Sequence, residues 1–430
     1  MRLKILKLFV LLSLFLPLSS SAFSILAHEA IIDAEWERTM VPILKKKYPS
    51  VTLQDLIKAH SYAYGGSLVA DIGYMPGGNS QFTDLLHYVR SGDFIINLIE
   101  EAQNLDEYAF ALGALSHYIA DKYGHSMATN VTVPRLYPEL RQKFGNVVTY
   151  EEDHTSHSRM EFAYDVVQVG RSNYATVAYH DFIGFNIATP PLERAFQKTY
   201  GQDMHTYFKN FSSNIGMLRW GVKNLFPAMT KQAWKSKKDD IIKTNAAAKS
   251  KTFRYKMARR MYNEEFGGKS NRPDFKARAL AFIIKIAPKI GPLKNLKFVY
   301  PGVEGEKRFV AVFDTIVSKY GDALRQVNAG RLRIPDINFD TGELAAYGDY
   351  RLADETYCRL VSDLQKNGMQ YMSPALQQHI VQYYRYADLH SLFKESPEKV
   401  PDFKLALQQI QSYNVTENAM NNSAKDNVQQ

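Results

Sequence analysis

Apolar residues along the chain recur at intervals of three and four, the spacing of one helix face, and runs that alternate at every second position are scarce. This pattern predicts helices over Leu56–Val69, Phe82–Phe94, Glu107–Gly124, Asp153–Asp165, 305–328 and 352–393, with further helix through 170–265. Breaks are expected at Ala70-Asp71-Ile72-Gly73-Tyr74-Met75-Pro76-Gly77-Gly78, in an excursion from Asn130 to Tyr150, and in a proline- and glycine-containing connection near 334–348. The expected fold class is all-α.

The two ends of the chain differ from its body. Arg2, Lys4 and Lys7 precede an apolar run from Leu8 to Leu18 and then Ser19-Ser20-Ser21-Ala22, the pattern of a cleavable signal peptide. Cleavage is expected after Ala22, leaving Phe23 as the new terminus and exporting the protein to a periplasm or the medium. Beyond about residue 413 the chain turns polar and is expected to be a disordered tail. The organisation expected is therefore a signal peptide at 1–22, a helical domain at 23–250, a helical region of unassigned role at 251–412 and the tail at 413–430.

Composition narrows the partners. The formal charge is +9, of which Arg2, Lys4 and Lys7 carry three, so an anionic partner such as a phosphate ester, an acidic lipid or nucleic acid is favoured. Lys231, Lys235, Lys237 and Lys238, with Arg254, Lys256, Arg259 and Arg260, form the most basic stretch and are expected to be mainly a solvated helix face. Residues 279–301 are expected to form a core helix with snorkelling lysines, the alternative being a membrane-surface element. Cys358 is the only cysteine, which excludes an intrachain disulfide. Neither a Gly-rich phosphate loop nor a G-x-S-x-G is present.

Candidate chemistry concentrates early in the chain. Seven of the eleven histidines lie between His28 and His157. His117, Asp121 and His125 fall one helical turn apart on one face, and His157 and Glu161 repeat the spacing on a second helix. Nitrogen and oxygen donors so placed suit zinc, although the same spacing also describes an ordinary i,i+4 pair. His28 stands five residues after the expected terminus, where the Phe23 amine and carbonyl would add two donors. Asp71 sits at the glycine-rich break, His87 lies among apolar neighbours, and His154 and Asp165 are placed to orient ligands from behind.

The ordered set of Phe23, His28, Asp71, His87, His117, Asp121, His125, His157 and Glu161 resembles that of the zinc-dependent phospholipase C family, whose superfamily also holds the S1/P1-type nucleases. The resemblance covers roughly Phe23 to Asp165 and implies a multi-helix bundle with a helical C-terminal extension. It also implies three Zn2+ per chain, where spacing alone suggests one or two. Asp71, His87, His117 and Asp121 would hold the first; Asp121, His28 and the Phe23 main chain the second; His125, His157 and Glu161 the third. Gly124 is expected to bend its helix so that His125 comes round.

The activity implied is phosphate ester hydrolysis by zinc-activated water, with Asp71 as the catalytic carboxylate and Tyr74, Phe82 and Tyr88 facing the substrate. A phospholipid at a membrane surface is the expected substrate. Single-stranded nucleic acid is the alternative, as is a zinc-binding exported protein with little hydrolytic activity; no protein partner is inferred.

Overall fold

The computed structural model describes residues 25–75, 77–171, 173, 184–245, 275–286 and 297–415. The expected signal peptide, Phe23, the boundary at 250, the basic residues 254–260 and all but the first three residues of the expected tail lie outside them. The described residues are helical with no strand; the one bridge pairs Ile337 with Leu344. None of the described helices is long and apolar enough to cross a membrane.

Helix α1 (Ile25–Glu35) is buried on every side, its apolar residues together with His28, Glu29, Asp33 and Glu35. It carries His28 inward and is anchored where the Leu26 amide donates to Asp165 Oδ2 at 3.1 Å. After α2 (Val41–Lys47), the longer α3 (Leu53–Leu68) starts at Thr52, whose side chain and that of Asp55 cap each other's backbone amides. A 3₁₀ turn at Val69–Tyr74 then delivers Asp71. It is pinned by Thr83 of α4 (Ser80–Tyr88), whose hydroxyl donates to Ala70 O and accepts from the Gly73 amide.

The contact that sets the geometry is between α3 and α6 (Leu105–Gly124), the latter following α5 (Ser91–Glu101). A Cβ on Gly66 would come within 1.9 Å of Phe110 O, and one on Gly113 within 2.0 Å of Ala63 O. Only glycine lets the two backbones approach this closely. The approach brings the Asp71 turn beside His117 and Asp121.

The stretch expected as an irregular excursion holds two short helices, α7 (Asn130–Leu136) and α8 (Pro138–Phe144). Pro138 begins α8, where its missing amide costs nothing. Helix α9 (His154–Gly170) follows, then α10 (Thr189–Tyr200), α11 (Phe211–Trp220), α12 (Phe226–Thr244) and α13 (Phe275–Ile286).

The C-terminal helices are α14 (Gly302–Asn328), α15 (Arg351–Lys366), α16 (Pro374–Tyr383) and α17 (Val400–Ser412). They share one hydrophobic core with the helices that carry the expected ligands. Tyr320 of α14 reaches into it to donate to Leu112 O at 2.9 Å. Arg171 and Glu306 form a buried two-pronged ion pair, at 3.0 and 2.6 Å, that ties the end of α9 to α14.

Two outcomes are expected from these contacts. Gly113→Ala forces the α3–α6 backbones apart and is expected to cost at least about 1–3 kcal/mol in chemical denaturation. Asp336, on the connection between α14 and α15, has its carboxyl pushed up to about 6 by burial and then by the Asp93 carboxylate. A folded-state value above the unfolded value of about 3.9 makes the charged form a penalty above pH 6, relieved as pH falls towards 4. Asp336→Asn is therefore expected to raise the melting temperature at about pH 7.5, with the difference from the parent protein shrinking towards about pH 4.

Candidate metal centre

Every expected side-chain ligand among the described residues is at most 4% exposed, and all of them converge. Three groups of ligand atoms lie close enough to share an ion: His28, His117 and Asp121; Asp71, His87 and His117; His125, His157 and Glu161. Asp121 joins them. Its Oδ1 is 3.4 Å from His28 Nε2 and 3.9 Å from His125 Nε2, and its Oδ2 is 3.0 Å from His117 Nε2 and 3.5 Å from His87 Nε2.

Backbone contacts choose which nitrogen each ring presents. His117 Nδ1 lies 2.9 Å from Ser67 O, and His87 Nδ1 2.8 Å from Thr83 O. A carbonyl only accepts, so both rings carry a proton on Nδ1 and turn Nε2 towards the carboxylates. Asp71 completes this side, with Oδ1 at 3.5 Å from His87 Nε2.

His125 and His157 point their Nε2 atoms at Glu161 Oε1, at 3.2 and 3.0 Å. His125 arrives by a different route from the one expected. Gly124 keeps helical dihedrals (φ −65°, ψ −49°), and the widened π-turn begins after it, at His125–Thr129. No bend at Gly124 is needed, because His125 already lies one regular turn beyond Asp121.

Electrostatics divide the cluster. Burial alone would raise the Asp121 carboxyl, but the His117 and His125 rings hold it well below the usual carboxylate range. Burial pulls His87 down, yet Asp121 and Asp71 more than reverse this and lift it to about 10. Burial depresses His125 to about 4 and His157 to about 3, leaving neutral imidazoles on that side. Burial, followed by the Asp121 and Asp71 charges, raises Glu161 well above its ordinary value.

Divalent cations fit this donor set. His87 Nε2, His117 Nε2, both oxygens of Asp71 and of Asp121, His125 Nε2 and Glu161 Oε2 are all buried without a hydrogen bond. Buried polar atoms left unpaired in such number are costly unless something binds them. Imidazole and carboxylate donors together suit zinc.

The other expected residues fall elsewhere. Phe82 is fully buried between Phe196 and Phe208, at 5.2 and 4.9 Å between ring centroids, and is a core residue with no face for a substrate. Tyr88 is 2% exposed and lies against Tyr350, so it too belongs to the core, although its ring neighbours His87. Tyr74 stands beside the cluster, its ring 6.2 Å from that of His87. His154 is exposed and orients no ligand. Asp165 acts one step away, on the amide that begins the helix carrying His28.

Sequence reasoning missed Asp340, whose Oδ1 lies 3.6 Å from His125 Nδ1 and 3.8 Å from His157 Nδ1. An aspartate in a polar turn of Asn338-Phe339-Asp340-Thr341-Gly342 carries no local sign of such a place. A further cluster of Asp93, Asp336 and His379 lies partly exposed near the surface. Arg90 already occupies Asp93 Oδ2 with two N–H groups, at 2.9 and 2.6 Å, and its positive charge opposes a cation there.

Residues 27–210 match the family model described as zinc dependent phospholipase C. No curated protein and no solved structure matches the chain. The matched span contains every expected side-chain ligand from His28 to Glu161. His117→Ala removes a ligand atom belonging to two of the three groups and is expected to lower the zinc retained per chain, measured by elemental analysis after dialysis against a weak chelator.

Proposed function

Over residues 27–210 the chain belongs to the zinc-dependent phospholipase C family, and from that premise we propose that it is an exported hydrolase cleaving the head-group phosphodiester of a phospholipid. The observation that carries this is the convergence of three ligand groups on one buried carboxylate, Asp121. Three zincs per chain would be held, as the family resemblance implies, by Asp71, His87, His117 and Asp121 for one; by Asp121, His28 and the main chain of an N-terminal Phe23 for another; and by His125, His157 and Glu161 for the last. Zinc bound there supplies a Lewis acid for phosphate oxygens and lowers the pKa of water.

The chain's own residues then have limited tasks. Asp71 sits on a short 3₁₀ turn and not within a long helix, with both oxygens free of hydrogen bonds. Burial raises its carboxyl, which suits it to accept a proton from the attacking water at a carboxylate oxygen. His117 and His87 keep their protons on Nδ1, bound to carbonyl oxygens, and take no part in proton transfer through that nitrogen. No serine, cysteine or threonine nucleophile is required, because water attacks phosphorus directly. Tyr74 provides the aromatic face beside the cluster.

The test pairs phosphatidylcholine in mixed micelles with single-stranded DNA, using protein whose N-terminus is sequenced. Release of phosphocholine and diacylglycerol, with intact DNA and a chain beginning at Phe23, is the expected result. Cleavage of DNA with untouched lipid would replace this proposal with a nuclease. Asp71→Asn is expected to lower kcat on the lipid by about 10²–10⁴-fold, with zinc per chain measured on the same sample.

A further inference from the structure

His117 and His87 each have a main-chain carbonyl on Nδ1; His125 and His157 have none. Their Nδ1 atoms make no hydrogen bond, and both face the same oxygen, Asp340 Oδ1. Their Nε2 atoms face Glu161 on the opposite edge of each ring. Asp340 therefore lies on the far side of both imidazoles from the ligand atoms.

We propose that Asp340 is a positioning residue for His125 and His157, accepting their Nδ1–H groups so that both rings offer Nε2 to the same zinc. The inference rests on the zinc assignment made above. It extends the metal centre well beyond residue 210, where the family match ends.

The surroundings of Asp340 are built for this. The residue is 1% exposed. Its Oδ2 accepts from the Tyr150 amide at 2.7 Å and the Tyr350 hydroxyl at 2.8 Å, which fixes the carboxylate plane and turns Oδ1 towards the rings. Asn130 Nδ2 adds a bond to Oδ1 at 3.1 Å and one to the Asp340 carbonyl at 2.8 Å. The two ring distances exceed the ~3.2 Å reach of a hydrogen bond by well under an ångström, a gap that a small ring shift on zinc binding closes.

The turn that carries Asp340 is itself seated on the ligand helix. Asn338 Oδ1 accepts from the Asp340 amide at 2.8 Å, and Gly342 at φ +75° would place a Cβ 2.6 Å from Lys122 O of α6. The Phe339 amide donates to His87 O at 3.0 Å, and its ring lies 5.1 Å from His87 and 5.8 Å from His117. One turn thus touches both halves of the cluster. A carboxylate behind a ligating imidazole raises its basicity and fixes its orientation, and losing such a partner weakens metal affinity about 10–100-fold.

The experiment measures zinc affinity by chelator competition in the full chain and in Asp340→Asn and Asp340→Glu, with folding followed by circular dichroism. One of three zincs should weaken about 10–100-fold in Asp340→Asn, with the other two unchanged and part of the loss recovered in Asp340→Glu. Imidazole ¹⁵N spectra of the zinc-loaded parent protein test the same point without a substitution: His125 and His157 should carry protected Nδ1–H groups and Nε2 bound to metal. Three zincs of unaltered affinity in Asp340→Asn, or His125 and His157 bound through Nδ1, would overturn the inference alone. A parent protein without the third zinc would overturn the zinc assignment and the inference with it.

Discussion

One carboxylate held out of water at the meeting point of four imidazoles dictates much of this molecule. Asp121 is fully buried, and its two oxygens face His28 and His125 on one side and His87 and His117 on the other. Removing an ionised carboxylate from water is strongly unfavourable unless partners surround it. The four rings arrive from α1, α4, α6 and the π-turn that follows α6, so the surrounding helices must meet at this point before the charge is tolerable. A fold free to choose its core by packing alone would put leucine at position 121.

The helices reach that point because two of them touch backbone to backbone. Gly66 and Gly113 remove the side chains that would hold α3 and α6 apart, and the 3₁₀ turn following α3 then falls against α6 at the height of His117. On the other side, the buried α1 is fixed by Asp165 at its first turn, so His28 stacks on His117 with 4.5 Å between ring centroids. Close packing here serves position more than stability. Each small residue or cap transmits an ångström-scale placement to a donor atom.

The local part of this arrangement was legible in the sequence. His117, Asp121 and His125, like His157 and Glu161, are separated by whole helical turns, and a periodicity in sequence is a direction in space. All-α architecture followed from the same periodicity. What spacing does not encode is which side of a helix meets which neighbour. Phe82 and Tyr88 flank His87 in sequence yet point into aromatic core, and His154 lies exposed three residues from the buried His157. The small residues of α3 were visible as a composition, but that Gly66 meets the Phe110 carbonyl is a tertiary fact. Asp340 was invisible because its environment is assembled from Asn130, Tyr150 and Tyr350, none of them near it in sequence except the last.

The distance along the chain between Glu161 and the turn holding Asp340 has a consequence for biosynthesis. During vectorial synthesis, the early helices emerge with their histidines and carboxylates while the segment that seats against the end of α6 has yet to appear. Closing so long a loop costs only slightly more entropy than closing a short one, so the delay is kinetic and not energetic. Until that segment is made, the side of the cluster that faces Asp340 has no wall. The wall is added only after every ligand helix has been made, and α15 to α17 still follow it in the chain.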